Sequence, residues 1–410
     1  MKNLILTLLL LLTFSCSNGQ QKVLDKGKIK ADLKNILADL SQNYIYLHDK
    51  NVDLDCIKEH YQNEIENLDT QKDVVLFFEY LLYEFYDSHL ILNTNTKSSF
   101  RLFAPIFTTF QNGEFVVTNV WQTQIENFGQ EIIGAKIKKI NGTDINDTIE
   151  TFPTFCNDKE SPKVREWIAN KIIAGRYNEP RVLTLELQDK KTVDFDLDKI
   201  LLKKTEELLT PKRIDNIGVI RINNSLGNND LVTDFDKSLD GLMDTKALII
   251  DLRNTVDGGN SYVARGIMSR FIQEPKPYQK HWTKEKYGDN PNVERSWTEY
   301  VNPRSVQYEK PVFILVGRWT GSMGEGLAIG FDGMQRGQII GTEMERLAGE
   351  MSGFSFDHLR FGYRLSTAKL FHVNGIPREK YVPSHYVKQT TTKKDETLEK
   401  ALELIKQQTD

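Results

Sequence analysis

Two short segments carry residue types able to do covalent chemistry. The first is Gly317-Arg318-Trp319-Thr320-Gly321-Ser322-Met323-Gly324-Glu325-Gly326, set between the apolar run Val312–Val316 and the helix-like stretch Leu327–Phe331. A serine on such a strand-to-helix turn exposes its hydroxyl. The helix start offers unpaired backbone N–H groups and a positive dipole end, where an oxyanion can develop. Residue 320 is threonine, so the segment is not a G-x-S-x-G elbow. Taken alone, it reads as a Ser N-cap in a glycine-rich turn. The second segment is Asp251-Leu252-Arg253-Asn254-Thr255-Val256-Asp257-Gly258-Gly259. A glycine pair after a buried strand can point a backbone N–H into a cleft, and it is equally a common turn.

The elements that must position these segments are legible as hydrophobic periods. Ala247–Leu252 and Val312–Val316 are nearly continuous apolar runs, as expected for strands buried on both faces. With Ile217–Ile222 and a closing amphipathic helix at Leu398, Ala401, Leu402 and Ile405, they predict an α/β region over 205–410. Upstream, three helical stripes are expected. They run Ile29 to Tyr44, Leu54 to Leu68, and Val74 to Phe85, the last opened by the capping pair Thr70 and Asp73. They make a helical domain over 29–97. From 98 to 204 the period falls towards two, at Phe115–Val117, Ala135–Ile140, Val182–Leu187 and Val193–Leu197. That region is expected to be β-rich. Residues 273–310 carry Trp282, Tyr287, Trp297 and Tyr300 among many charges, and read as a surface excursion with aromatic pins or as a flap. His358, His372 and His385 read as structural or surface histidines.

The chain has 410 residues, which suggests two or three domains at about 150 residues each. With 39 % hydrophobic residues it has the material for a sizeable core. A net charge of −4 gives no electrostatic reason to expect nucleic acid. Three cysteines exclude a disulfide scaffold, and the seven histidines show no metal-ligand spacing, so neither metal nor cofactor is expected. Lys2 precedes an apolar run, Leu4 to Phe14, followed by Ser15-Cys16. The run is too short for a bilayer of about 30 Å, which needs roughly 20 helical residues. It reads as a signal peptide over 1–16, ending in a lipobox-like Cys16, with a tether over 17–28. The expectation is an exported envelope lipoprotein, held to the membrane by lipid at Cys16. Cys56 and Cys156 are either a pair in an oxidising compartment or two isolated thiols.

Taken together, the segments resemble the serine peptidases of the carboxyl-terminal-processing, or tail-specific protease, family. That family has a D-L-R-x-N-x-G-G loop and a T-x-S-x-x-E turn, here Thr320-Gly321-Ser322-Met323-Gly324-Glu325. Gly134-Ala135-Lys136-Ile137-Lys138-Lys139-Ile140-Asn141-Gly142-Thr143-Asp144-Ile145 resembles a PDZ-domain stretch. Asp87-Ser88-His89, and Gly375 to Pro383 with Glu379, resemble elements of the tricorn-like branch. The other branch uses a lysine base, and Glu345-Arg346-Leu347-Ala348-Gly349 holds none where it is expected; Lys369 is the nearest substitute.

The resemblance implies an α/β crotonase-like core over 205–410, with an N-terminal helical cap and a PDZ-like β-rich domain. It implies a catalytic set of Ser322, His89, Ser88 and Glu379. It implies an oxyanion hole from Met323 and either Gly258 or Gly259, the loop being one residue longer than the family pattern. The substrate would be a peptide or protein, and the PDZ-like region would pair with it by β-augmentation. Pro383 is followed by Ser384 where the family has Asp, and Leu102–Thr109 is not an obvious carboxylate-binding loop. The alternative reading is a non-catalytic peptide- or ligand-binding lipoprotein on the same fold.

Overall fold

A computed structural model describes residues 24–126 and 128–409. Cys16 and the expected signal peptide lie outside the described residues. The expected tether is cut short, because a helix already spans Lys26–Asn43, opened by Asp25, whose side chain accepts the Lys28 N–H. The helices Leu54–Glu64 and Gln71–Tyr83 follow, as their periods predict. Thr70 and Asp73 form a reciprocal capping box at the start of the latter. The apolar faces of these helices bury Ile36, Leu40, Ile57, Phe78 and Leu81 together with Ala348, Tyr363 and Leu365 from the far end of the chain. The helical region is therefore packed on the C-terminal third. Cys56 and Cys156 form a disulfide, with Cα atoms 5.8 Å apart, that ties it to the middle region as well.

The middle region folds as a six-stranded antiparallel sheet, with Ile106–Gln111 at one edge and Thr192–Asp196 at the other. The helix Pro162–Ala174 packs beside that first edge strand, against which the expected β-augmentation would occur. The edge is occupied. Thr108 N–H donates to Asn170 Oδ1 at 3.0 Å, Asn170 Nδ2 donates to Thr108 O at 2.8 Å, and Phe110 N–H donates to Glu166 Oε2 at 3.0 Å. The domain's own helix fills the ladder positions an added strand would need.

The C-terminal region is built on a second six-stranded sheet. Ile217–Ile222, Ala247–Asp251, Val312–Val316, Gln338–Gly341 and His385–Tyr386 run parallel, and Leu209–Ile214 closes one edge antiparallel. Every residue of Ala247–Asp251 and Val312–Val316 is buried, which is why both read as unbroken apolar runs. Helices Ser261–Met268 and Met323–Gly333 cover one face, and Glu396–Thr409 covers the other through Ala401 and Ile405. Residues 273–310 are more than a surface excursion. They form a hairpin, Lys276–Glu285 with Val293–Val301, in a third sheet. Its base is buried at Tyr278, Gln279 and His281, beside the helix Met323–Gly333, and Trp297 stacks on His281 at 4.5 Å.

Candidate active site

The buried strand Val312–Val316 delivers the chain to Gly317, and the turn beyond it is laced to the Asp251–Gly259 loop. Thr320 Oγ1 donates to Leu252 O at 3.0 Å, and Gly321 N–H donates to Thr255 O at 3.2 Å. At the apex Ser322 adopts φ 49° and ψ −110° before the helix Met323–Gly333 begins. A positive φ at a non-glycine residue costs on the order of 1–3 kcal/mol, and persists only where the surroundings enforce it. Here they do, since Ser322 N–H is held by Glu325 Oε2 at 3.0 Å.

Gly258 abuts the serine. It has φ +65°, and a Cβ on it would lie 2.4 Å from Ser322 Cβ and 3.0 Å from Ser322 Oγ. Its own N–H donates to Thr255 O at 3.0 Å and is not free. The N–H groups of Gly259 and Met323 make no hydrogen bond among the described residues. The choice between the two glycines therefore takes a physical form: Gly258 supplies room at the serine, and Gly259 keeps an unengaged donor.

Asp87-Ser88-His89 follows the helix Gln71–Tyr83. His89 is buried, and its Nδ1 lies 2.9 Å from Ala348 O. A carbonyl can only accept, so Nδ1 carries the proton and Nε2 holds the lone pair. Nε2 is itself buried and has no hydrogen-bond partner. Burial, helped by the nearby Arg378 charge, pushes His89 down to about 4. Ser88 is exposed, and its Oγ accepts from Trp167 Nε1 at 3.1 Å. Glu379 has a buried, unpartnered Oε2, and burial raises its pKa. Lys369, the substitute base, is ion-paired with Asp49 at 2.5 Å.

The structure brings Ser322, Met323, Gly258 and Gly259 into one cluster. No hydrogen bond joins Ser322 to His89, Ser88 or Glu379. What connects Ser322 with His89 is the segment 346–349. Glu325, fully buried, accepts N–H groups from Arg346 at 2.9 Å and Leu347 at 3.1 Å as well as from Ser322. The next residue is Ala348, whose carbonyl holds His89. Arg378 Nη2 donates to Leu347 O at 3.0 Å and Gly349 O at 2.9 Å, closing the segment from the other side. Burial pushes Glu325 up to about 7, against the pull of Arg378 and of the three N–H donors. Sequence reading passed over Glu325 and Arg378 as functional residues. The S-x-x-E spacing was the signal available for Glu325.

A cleft of about 320 Å³ is lined by Ser88, Trp167, Arg318, Trp319, Leu347 and Ala348, and Ser322 and His89 are not among its lining residues. Trp319 stacks on Trp121 at 5.3 Å, and its Nε1 donates to Ala104 O at 2.9 Å, fastening the middle region to the turn.

A serine forced into a strained strand-to-helix turn, with free backbone donors beside it, has a geometry that serine-type hydrolases use. The comparisons narrow this class. The model of peptidase family S41 matches residues 216–383, and that of the tricorn protease C1 domain matches residues 28–83. Over residues 216–383 the chain is thus similar to peptidase family S41, and that match supports a serine-type peptidase. Among solved structures, mature CPAF complexed with lactacystin is 15 % identical at a TM-score of 0.60, covering 93 % of this chain and 97 % of that one. The photosystem II D1 C-terminal processing protease is 13 % identical at a TM-score of 0.56, covering 88 % and 93 % respectively. At these identities the likeness concerns the fold. No curated protein matches the sequence.

Proposed function

We propose that the protein is an exported, envelope-anchored serine endopeptidase that works through an acyl-enzyme on Ser322 with His89 as general base. One observation carries this reading. The strained Ser322 and a buried, unpartnered His89 Nε2 are held by the two ends of one segment, through Glu325 and through Ala348 O. Ser322 Oγ attacks the peptide carbonyl while its proton passes to His89 Nε2. The oxyanion is received by the N–H of Met323 and of Gly259, with Gly258 leaving room for it. His89 then returns the proton to the leaving amine, and water repeats the sequence on the ester to free Ser322. Ser88 faces the cleft and contacts the bound substrate. Glu379, whose pKa burial raises, orients the attacking group.

The tricorn C1 match over 28–83 and Asp87-Ser88-His89 favour the His-based branch over the lysine-based one. We assign the parallel-sheet region as the crotonase-like core, the helices as its cap and the middle sheet as PDZ-like. The Cys56–Cys156 disulfide agrees with an oxidising compartment, and Ser15-Cys16 with a lipid anchor. The mass of the mature amino terminus tests the anchor: an unmodified Cys16 overturns it. A fluorophosphonate probe tests the chemistry. It should label the intact protein, and labelling should vanish in Ser322→Ala. Labelling that survives this substitution removes Ser322 from the reaction.

A further inference from the structure

The carbonyl that orients the proposed base has a second occupant. Ala348 O accepts the Nδ1–H of His89 at 2.9 Å and the hydroxyl of Ser366 at 2.6 Å. A carbonyl oxygen has two lone pairs, and here two side chains claim them. Ser366 lies in the strand Gly362–Phe371, is completely buried, and sits opposite Met351 in the neighbouring strand Glu350–Ser355. Ile45 N–H donates to its backbone O at 2.9 Å, so the junction after the helix Lys26–Asn43 holds the serine from the other side. The ring of Tyr46 closes the same space. A Cβ on Gly349 would lie 2.8 Å from Tyr46 Cε2 and 3.1 Å from Ser366 Cβ. The helical region and the C-terminal region thus meet at the oxygen that His89 uses.

A buried hydroxyl needs an acceptor, and this one takes the oxygen on which the tautomer of His89 depends. The effect on the imidazole is electrostatic. When Nε2 gains a proton the ring becomes a cation, and its Nδ1–H leans harder on Ala348 O. An oxygen that also receives the Ser366 O–H has part of its negative charge already drawn away, so it stabilises the imidazolium less. Two donors from different strands also fix the direction of the C=O, and with it the plane of the ring. The other influences on His89 are independent of this hydroxyl. Burial, Arg378 and Arg364 oppose protonation, while the Ala348 carbonyl and Asp87 favour it. Asp87 is held by Tyr44 OH at 2.6 Å, by Lys50 at 3.5 Å and by the His89 N–H at 2.9 Å. A neutral substitution at Ser366 adds and removes no charge among them.

We infer that Ser366 is a positioning residue of the base: its hydroxyl fixes the Ala348 carbonyl, holds the His89 proton on Nδ1 and keeps Nε2 weakly basic. The inference rests on the reading of His89 as base for its place in catalysis, but its first test needs no turnover. Protein carrying histidine labelled with ¹³C at Cε1 and with ¹⁵N in the ring gives one signal for each of the seven histidines, and that of His89 is assigned by its loss in His89→Ala. In the wild type it should titrate near pH 4 with the proton on Nδ1. In Ser366→Ala the midpoint should rise by about half a unit to one unit, the size of one competing hydrogen bond. Ser366→Cys, close in size but a weak donor, should show the same rise, and it decides the matter if the smaller side chain unsettles the strand.

Fluorophosphonate labelling of Ser322 should follow the ring. Its acid midpoint should move up by the same amount, so that near pH 4.5 the variants label about twofold more slowly than the wild type, each relative to its own plateau. A merely structural serine would lower the melting temperature and leave both midpoints in place. An unshifted ring titration with the Nδ1 tautomer intact, in folded Ser366→Ala and Ser366→Cys, overturns the inference. A ring that shifts while the labelling profile stays put supports the positioning by Ser366 and removes His89 as the base, so the two readings fail separately.

Discussion

The base can be tested by pH alone, because its surroundings move it far from an ordinary histidine. His89 is buried, its Nδ1–H is committed to Ala348 O, and Arg378 adds a like charge, so protonation at Nε2 is resisted and the pKa falls to about 4. In the unfolded chain the same side chain titrates near 6.5. The gap corresponds to about 3 kcal/mol at 1.36 kcal/mol per pH unit. Between these two values the unfolded chain binds a proton that the folded protein refuses. The contribution to stability is therefore complete above pH 6.5 and is lost as the pH falls towards 4. The same depression sets the kinetics. A base that is neutral down to pH 4 leaves fluorophosphonate labelling of Ser322 flat from about pH 6, below the range where Glu325 ionises, to about pH 5, with half-loss near 4. The assay is the second-order labelling rate across that range, with circular dichroism at each pH to confirm folding. His89→Ala should abolish labelling. The difference in melting temperature between wild type and His89→Ala should shrink on acidification, which isolates this group from the carboxylates. A labelling rate that halves near pH 6.5, or full labelling of folded His89→Ala, refutes the assignment of His89 as the buried base.

Gly258→Ala should cut the labelling rate by about a hundredfold. The new Cβ falls 2.4 Å from Ser322 Cβ, and an ångström of displacement at a reacting group costs on this order; labelling at the wild-type rate would show that the loop yields freely. Asn170→Ala should unlatch the occupied sheet edge, lowering stability by about 1–3 kcal/mol and speeding amide exchange at Thr108; unchanged exchange there means the latch is not what protects that strand. Glu325→Gln should reduce labelling sharply, because an amide presents one acceptor oxygen where two receive three N–H groups; normal labelling by the folded variant removes Glu325 from the positioning of the turn.

Much of this was legible in the chain, and the limits have physical reasons. Strands buried on both faces announce themselves as apolar runs, so Ala247–Asp251 and Val312–Val316 were found to within a residue. The capping box at Thr70 fixed a helix start. The turn at Ser322 was found through its glycines and its serine. What escaped were contacts in which residue type says little. His89 is oriented by a backbone carbonyl, and every residue has one. Lys171, Asn170 and Glu166 belong to no motif, and they face a sheet edge and a cleft that appear only once the chain has folded. The base of the hairpin is buried with Gln279 and His281, so its apolar alternation is broken by polar residues that Glu299 engages at Gln279 Nε2 and His281 Nε2. The pairing of Cys56 with Cys156 spans 100 residues, and no local pattern encodes it.

The segment 345–349 ties these observations into a single mechanical argument. Ser322 and His89, the proposed nucleophile and base, lie 233 positions apart, and no hydrogen bond joins them. Their relative placement is transmitted through a few peptide units. Arg346 and Leu347 are held by Glu325, Ala348 holds His89, and Leu347 and Gly349 are held by Arg378. The segment also stores strain, for the non-glycine Arg346 takes φ 65°. Two buried carboxyls brace it against the serine turn: Glu325 from below, and Glu345, which accepts no hydrogen bond at Oε2 and lies where a Cβ on Gly321 would be 2.2 Å away. Ionising either in place is resisted by burial, which lifts them to about 7 and about 8. Because both folded values lie above the ordinary carboxylate range, their contribution to stability is complete below about pH 4.5 and fades as the pH rises through 7 to 8, opposite in sign to that of His89. Alignment of Ser322 with His89 is thus bounded on both sides of the pH scale. On the acid side the limit is protonation of the base. On the alkaline side it is charge appearing on the carboxyls that fix the segment between them.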